Sequence, residues 1–189
     1  MPNYCNYSMC VVGKQRKNVE EFIKVIKAGY NYGTMEFDYD RHLFRVFEAI
    51  CDEIEERADG KFQVMIDGYC AWSVSSCMLR DGYYGSFKRD YQDKCRGTTL
   101  DIESKKLNLD FEVYSDECGM CFQEHYIITN GEIVCDECVD WSEIWVEDYK
   151  TKEEAEEDLD IKITDEEWVT GLEEGYFTRG GFESWDFEI

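Results

Sequence analysis

The sequence predicts an α+β fold, an antiparallel sheet with packed helices that ends in an acidic, mainly helical C-terminal arm. Three observations predict this class. A strand-like segment leads into a helix-like one near the N-terminus, short segments with hairpin turns follow, and helical patterning returns in the last third. The chain is therefore divided into an α+β core, residues 1–139, and an arm packed on that core, residues 140–189.

The first two elements follow from the spacing of apolar residues. Residues 4–12 alternate and are rich in Tyr, Met and Val, which predicts a strand that ends at Gly13. Residues 18–28 carry Val, Phe and Ile at helical spacing and precede Gly29, which predicts a helix with a glycine stop.

The next two segments are less regular. Residues 29–40 contain two glycines and three tyrosines and are predicted as a loop. Residues 42–57 carry a helical stripe of Leu, Phe and Ile and a tail of good helix formers, so a helix is preferred. A strand is the alternative there, because Phe44 and Val46 would share a strand face.

The middle of the chain combines strands with a long loop. Residues 61–67 and 69–78 are predicted as strands broken at Gly68. Residues 80–97 are predicted as a loop in which five Lys and Arg residues interleave with four aromatic ones. This mixture suits a protein interface or single-stranded nucleic acid, and pairing with the acidic arm is the other interpretation.

Two hairpins are predicted next. The first joins residues 98–103 to 107–114 around a pair of lysines. The second joins residues 122–128 to 132–135 at Asn130-Gly131, a dipeptide typical of tight hairpin turns.

The last third is predicted to be helical from Ser142 onward. Thr164 and Glu167 fit a capping box, with the threonine as N-cap and the glutamate at the third helical position. Gly180-Gly181 marks a break, and residues 185–189 are predicted as a short final strand.

Charge is the strongest functional signal in the sequence. The chain holds 43 Asp and Glu residues against 20 Lys and Arg, a net charge of −23. Residues 132–189 hold 21 acidic and 4 basic residues, a net of −17. Such a field repels nucleic acid and anionic membranes, and it attracts basic surfaces such as those that bind nucleic acid. The alternative is that the acidity only maintains solubility.

Composition also bears on location and on the ten cysteines. No stretch approaches the roughly 18 apolar residues of a membrane-spanning helix, and the N-terminal residues lack the basic and apolar regions of a signal peptide. A cytoplasmic protein is therefore expected, in which cysteines are thiols or metal ligands rather than disulfide partners.

Four cysteines form a pattern with metal-ligand spacing. Cys118 and Cys121 make one C-x2-C pair, and Cys135 and Cys138 make a second one on the far side of the Asn130-Gly131 turn. Four thiolates can bind zinc tetrahedrally and leave no open position, so the site would be structural. Four reduced cysteines at the edge of the sheet are the alternative.

Catalytic patterns are weak. The chain has two histidines, His42 and His125, and it shows no zinc-protease, nucleophile-elbow or phosphate-loop motif. Alternation places His125 with Gln123 on the sheet face opposite Glu124 and Tyr126, where a hydrogen-bonded structural histidine is the simpler interpretation. We expect a protein that is not an enzyme.

The N-terminal region begins with Met1-Pro2-Asn3-Tyr4-Cys5, continues with a strand and Gly13, and then carries Val19-Glu20-Glu21-Phe22. This region resembles an uncharacterised family of phage and prophage proteins that begin Met-Pro-Asn-Trp-Cys. Ala71-Trp72-Ser73 is similar to that family's Ala-Trp-Ser stretch, and residues 119–131 to its aromatic strand and Asn-Gly turn. The resemblance covers roughly residues 1–135 and implies a ferredoxin-like core. It supplies no catalytic residues, and the four cysteines and the acidic arm lie outside its pattern.

Acidity and a phage context together predict an inhibitor of a host defence complex. Small acidic phage proteins of the anti-CRISPR type occupy the nucleic-acid channel of a nuclease, which predicts DNA mimicry in the host cytosol and a CRISPR nuclease complex as partner. The predicted contacts are Glu153, Glu154, Glu156, Glu157, Asp158, Asp160, Asp165, Glu166 and Glu167, with Trp145, Trp141 and Trp168 as anchors. The alternatives are a zinc-stabilised assembly protein of a phage and a nucleic-acid-binding module that uses loop 80–97.

Overall fold

The structure of the protein is a computed structural model that describes residues 3–28, 30–31, 36–37, 41–79 and 97–189. The predicted basic loop, residues 80–97, lies outside the described residues except for Gly97. Most of the predicted loop 29–40 also lies outside them.

Ten strands and five α-helices follow one another along the described residues. The strands are β1 (Tyr4–Gly13), β2 (Tyr30–Asn31), β3 (Glu36–Phe37), β4 (Val46–Cys51), β5 (Glu55–Glu56), β6 (Phe62–Ala71), β7 (Leu109–Glu117), β8 (Phe122–Thr129), β9 (Glu132–Trp145) and β10 (Tyr176–Gly180). The helices are α1 (Arg16–Ile26), α2 (Val74–Met78), α3 (Leu100–Leu107), α4 (Lys152–Leu159) and α5 (Asp165–Glu174), with a 3-10 turn at Val146–Asp148.

Eight strands form one antiparallel sheet in the order β10-β9-β8-β7-β1-β6-β4, and β5 also pairs with β6. β2 and β3 form a separate pair. The main core lies between one face of this sheet and helices α1, α2 and α3. Phe22 of α1 and Phe111 of β7 are both fully buried there, with ring centroids 4.7 Å apart. The predicted α+β class is confirmed.

A second, smaller core lies near the end of the chain. It joins the end of β9 to β10 and α4 through five buried apolar side chains, which are Ile144, Val146, Ala155, Ile163 and Phe177. Trp168 of α5 packs against this core. β9 itself is continuous across the predicted core–arm boundary at residue 139, so the two parts share a strand.

The last nine residues return across the sheet face opposite the three helices. The backbone N–H of Phe182 donates to the side chain of Gln123, and the Tyr114 hydroxyl donates to the carbonyl of Asp186. The backbone N–H groups of Glu188 and Ile189 both donate to a single carboxylate oxygen of Glu112. The predicted strand at 185–189 is wrong, because these residues pair with no strand of the sheet. Individual hydrogen bonds to the side chains of Tyr114 and Glu112 hold them instead.

The predicted helix at residues 42–57 is wrong, because this segment forms β4 and β5 beside β6. Gly68 is the reason that β4 can approach, since a Cβ there would lie 2.0 Å from the Glu48 carbonyl oxygen. β6 therefore runs through Gly68 without a break. It ends at Ala71, and Ser73 caps the short helix α2 where a strand was predicted.

The predicted strand at residues 98–103 is also wrong, because residues 100–107 form helix α3. Its buried face includes the polar residues Glu103 and Ser104, so the apolar spacing that indicates a helix is interrupted in the sequence. The Glu103 carboxylate is satisfied by Arg41, at 2.8 Å, and by the hydroxyl of Thr98, at 2.8 Å.

The acidic arm differs from its prediction at its start. Helical structure was expected from Ser142, but β9 continues to Trp145 and the first α-helix of the arm begins at Lys152. β10 was not anticipated. The predicted capping box is confirmed: Thr164 Oγ1 accepts from the Glu167 backbone at 3.1 Å, and Glu167 accepts from the Thr164 backbone at 2.7 Å.

Candidate functional site

The predicted acidic contacts lie on α4, α5 and the turn between them. Two of the nine carboxylates, Glu156 and Glu167, are half-buried. The other seven residues are exposed, namely Glu153, Glu154, Glu157, Asp158, Asp160, Asp165 and Glu166. Both helices are anchored by the small core, which fixes the positions from which these carboxylates project.

Local capping explains why this acidic sequence forms two helices. Thr151 Oγ1 accepts from the backbone of Glu154 at 3.2 Å and starts α4. Asp160 ends α4 in the left-handed conformation, and the Glu156 carboxylate accepts from the backbone N–H of Ile163 in the following turn, at 2.9 Å. That hydrogen bond is the main reason that the pKa of Glu156 lies below its ordinary value.

Three of the four basic residues in 132–189 are engaged within the arm itself. Lys152 bonds Asp165 at 2.6 Å, Lys162 lies 3.6 Å from Glu156, and Arg179 lies 3.3 Å from Glu167. Asp165, Glu156 and Glu167 therefore have structural partners. The remaining six predicted contacts form no ion pair among those found in the described residues.

The two helices carry acidic residues at both ends, favourably placed in their first turns and unfavourably placed in their last turns. Glu157 and Asp158 lie in the last turn of α4, and Glu173 and Glu174 in the last turn of α5; neither turn contains a basic residue. Carboxylates at a helix C-terminus oppose the helix dipole. Glu153 and Glu157, like Glu154 and Asp158, are like charges four residues apart, which also destabilises a helix. Helix stability therefore does not account for the acidic residues of the last turns.

Apolar side chains lie exposed beside the carboxylates. Leu172 and Val169 of α5 are 63% and 52% exposed, and Trp145 is 46% exposed with its ring 5.1 Å from that of Tyr176. Trp168 packs against the small core and is half-buried, as is Trp141. Of the three predicted anchors, the structure leaves Trp145 the most accessible.

An open groove of about 320 Å³ runs between α5 and β10. Three glutamates, Glu166, Glu167 and Glu174, line it together with Tyr176 and Phe177. Carboxylates beside aromatic rings suit the head and the apolar stem of a lysine or arginine side chain.

The structure does not bring the four predicted zinc ligands together. Cys118 and Cys121 lie exposed in the connection from β7 to β8. On β9, Cys135 pairs with Ile127 and Cys138 with Glu124, so the two thiols point to opposite faces of the sheet. The Cys121 carbonyl accepts from Trp141, six positions along β9 from Cys135, which corresponds to roughly 20 Å of strand.

A different group of metal-ligating atoms does converge. His125 lies opposite Glu137 in the β8–β9 register, and Cys135 is two residues from Glu137 on the same face. His125 Nδ1 is 3.6 Å from Cys135 Sγ and 3.7 Å from a Glu137 carboxylate oxygen. All three ligand atoms lie within 4.8 Å of one another, so this group could hold a metal ion.

The orientation of the His125 ring is fixed from two sides. Its Nε2 lies 3.0 Å from a carboxylate oxygen of Glu112, which is fully buried. Its ring stacks on Tyr114 with centroids 4.0 Å apart and an interplanar angle of 4°. Sequence reasoning placed His125 on the correct face but did not find its two partners on β9.

The surroundings of this group are negative. Burial is the main cause that raises the pKa of the Cys135 thiol, and the carboxylates of Glu137 and Asp136 raise it further. On the same sheet face, burial raises the pKa of Cys10 to about 11, with a smaller contribution from Glu112. Thiols in such surroundings are weak nucleophiles unless a cation stabilises the thiolate.

No helix among the described residues is long and apolar enough to cross a membrane. No protein-family model matches this chain, and no curated protein or solved structure matches it. Function is therefore inferred from the geometry of the chain itself.

Proposed function

We propose that the protein binds a basic, nucleic-acid-binding partner through the acidic surface of α4 and α5 and inhibits it without catalysis. The observation that carries this proposal is the set of exposed carboxylates on α4 and α5. Those in the last turns, such as Glu157 and Asp158, oppose the dipole of their own helix. Solubility requires charge, but it does not require charge at the positions that weaken a helix.

The density of charge supports mimicry of a nucleic acid. Residues 153–160 carry six carboxylates over about 12 Å of helix, or one charge per roughly 2 Å. Duplex DNA carries one charge per roughly 1.7 Å of its axis. A channel that neutralises phosphates with lysine and arginine would therefore meet a similar line of charge on α4.

For the partner we propose a nuclease complex of a host defence system, of the CRISPR type, in the cytosol of a host cell. The resemblance of the N-terminal residues to phage proteins supports this partner. The exposed Trp145 and the acidic groove beside Tyr176 supply apolar contact area next to the charge, as hot spots in protein interfaces require.

For the core we propose a ferredoxin-like arrangement of β1, α1, β4, β6, α3 and β7. The strand order β7-β1-β6-β4 supports it, because each helix then connects two strands that are separated by a third. In this arrangement β8, β9 and β10 extend the sheet and carry the acidic helices away from the core.

The test compares two variants with the same loss of charge. The first neutralises α4 through Glu153→Gln, Glu154→Gln, Glu157→Gln and Asp158→Asn. The control neutralises an exposed acidic stretch at the opposite edge of the sheet, beside β6, through Asp52→Asn, Glu53→Gln, Glu55→Gln and Glu56→Gln. Binding to a purified nuclease–guide complex, and competition with its target DNA, are measured at low and high salt.

We expect wild type and control to bind and to compete with DNA, with an affinity that falls steeply as salt rises. The α4 variant should bind at least about tenfold more weakly, a change of 1.4 kcal/mol. Affinity that does not depend on salt, or an equal loss in both variants, would contradict the proposal.

A zinc-stabilised assembly protein of a phage is the second candidate. The metal-capable group of His125, Cys135 and Glu137 favours it. Self-association that depends on bound metal, in a protein without affinity for nucleases, would replace the first candidate by this one.

A further inference from the structure

We propose that His125, Cys135 and Glu137 bind one divalent ion of the zinc class on the sheet face that the C-terminal residues cover. This site is independent of the acidic surface on α4 and α5. It also differs from the four-cysteine site that the sequence predicts, because it uses Cys135 alone among those thiols.

The spacing of the ligand atoms agrees with tetrahedral coordination. Zinc–sulfur and zinc–imidazole bonds measure about 2.3 and 2.0–2.1 Å, so a tetrahedral angle places the two atoms roughly 3.5 Å apart. The Sγ of Cys135 lies 3.6 Å from the Nδ1 of His125. The Glu137 oxygen at 3.7 Å from the same nitrogen is close to its expected separation of roughly 3.3 Å.

Glu112 prepares the histidine for this role. Its carboxylate accepts from Nε2 of His125, so a neutral imidazole presents the lone pair of Nδ1 toward Cys135 and Glu137. A carboxylate behind a ligating histidine is the usual arrangement in zinc sites, where it fixes the tautomer and the ring orientation. The N–H groups of Glu188 and Ile189 hold Glu112 in place from the other side.

The donor set selects the class of metal. One thiolate, one imidazole and one carboxylate suit zinc, whereas calcium and magnesium require oxygen ligands. Asp136 and Glu188 add negative charge nearby, which favours any cation. Three protein ligands leave a fourth position for water, and the Glu137 side chain is 58% exposed, so an ion can reach the site.

The competing arrangement is a protonated imidazole between Glu112 and Glu137. It would explain the two carboxylates, but it gives Cys135 no function. A metal ion accounts for the convergence of Nδ1 with the Cys135 sulfur and the Glu137 oxygen, and a direct measurement of metal binding separates the two arrangements.

The experiment is a cobalt(II) titration of the reduced full chain, followed by displacement with zinc. A thiolate ligand gives a sulfur-to-cobalt charge-transfer absorption that an oxygen or nitrogen ligand does not. Cys135→Ser removes the thiolate, and Glu137→Gln removes an exposed ligand with little risk to folding. Cys138→Ser is the matched control, since it changes a thiol of the same strand on the opposite face.

We expect one cobalt per chain with the charge-transfer band, and tighter binding of zinc. Cys135→Ser should lose the band and bind zinc at least about 100-fold more weakly. Glu137→Gln should weaken zinc binding about tenfold. Both values are comparable to the losses of affinity seen when groups around a bound metal are changed. Cys138→Ser should match wild type. No band in wild type would overturn the proposal, as would equal loss with Cys138→Ser, which would indicate the four-cysteine site.

Discussion

Gly171 lies within α5 at a point where an added methyl group has two opposing effects. A glycine-to-alanine change inside a helix ordinarily stabilises the helix by roughly 0.8–1 kcal/mol. Here the new Cβ would lie 2.2 Å from Val146 Cγ2 and 3.0 Å from a ring carbon of Phe177. Both neighbours are buried in the small core that anchors the acidic helices.

The overlap outweighs the gain in helix propensity. Ordinary carbon contact begins near 3.4 Å, and Val146 is β-branched, so its side chain has little rotational freedom to move aside. Overpacking a buried site destabilises a protein by about 1–3 kcal/mol, and an overlap of this size belongs near the upper end. We expect Gly171→Ala to lower the free energy of unfolding by about 2 kcal/mol, net of the propensity gain.

Thermal unfolding followed by circular dichroism checks this value. For a chain of this size about 2 kcal/mol corresponds to a fall in Tm of roughly 4–8 °C. Gly175→Ala is the comparison variant. Its φ of +92° introduces backbone strain, but no atom lies within 4 Å of the added Cβ, so this variant lacks the steric overlap. Adding Val146→Ala to Gly171→Ala should recover at least about 1 kcal/mol relative to the sum of the two single changes. A rise in Tm for Gly171→Ala would refute the packing described for the small core.

Replacing Glu157 and Asp158 together by lysine should raise Tm by roughly 1–3 °C, because two cations then complement the C-terminus of α4, while partner binding weakens in the same assay as above. Burial raises the pKa of Glu124 above its ordinary value of 4.5, so its contribution to stability is present in acid and declines as pH rises from about 4.5 through the raised pKa. In urea titrations, the stability of Glu124→Gln relative to wild type should therefore increase between about pH 4 and pH 7. Glu112→Gln should weaken cobalt binding about 10–100-fold, whereas the control Cys138→Ser should bind cobalt as tightly as wild type. Unchanged affinity in Glu112→Gln would remove Glu112 from the site.

The parts of the fold that were predicted correctly depend on local signals. The strand before Gly13, the helix after it and the hairpin at Asn130-Gly131 follow from patterns within a few residues. Segment 42–57 and helix α3 were assigned wrongly because tertiary partners decide them. Glu48 lies in a strand only because Gly68 lets β4 approach, and Glu103 is buried in a helix because Arg41 and Thr98 satisfy its carboxylate.

The metal-capable group shows a more specific limit of sequence reasoning. A tight turn at Asn130-Gly131 with regular pairing would place His125 opposite Asp136 and would put Cys138, not Cys135, on its face. A bulge between Ile127 and Ile128 shifts the register by one residue, so His125 faces Glu137 and Cys135 joins them on the same face. A shift of one residue exchanges the two faces of a strand, and no residue in the turn indicates that this bulge is present.

The acidic arm combines unfavourable charge with an anchor that compensates for it. Neither α4 nor α5 has a basic residue in its last turn, and both are too short to be stable alone. The five apolar residues of the small core, the Thr164 capping box and the ion pairs to Lys152, Lys162 and Arg179 offset this repulsion. Glu154 accepts from the backbone of Lys150 and Asp158 from the Tyr149 hydroxyl, and both carboxylates remain exposed. An arm selected for stability alone would place basic residues in the last turns of α4 and α5, and the lack of any there is what the proposed basic partner would explain.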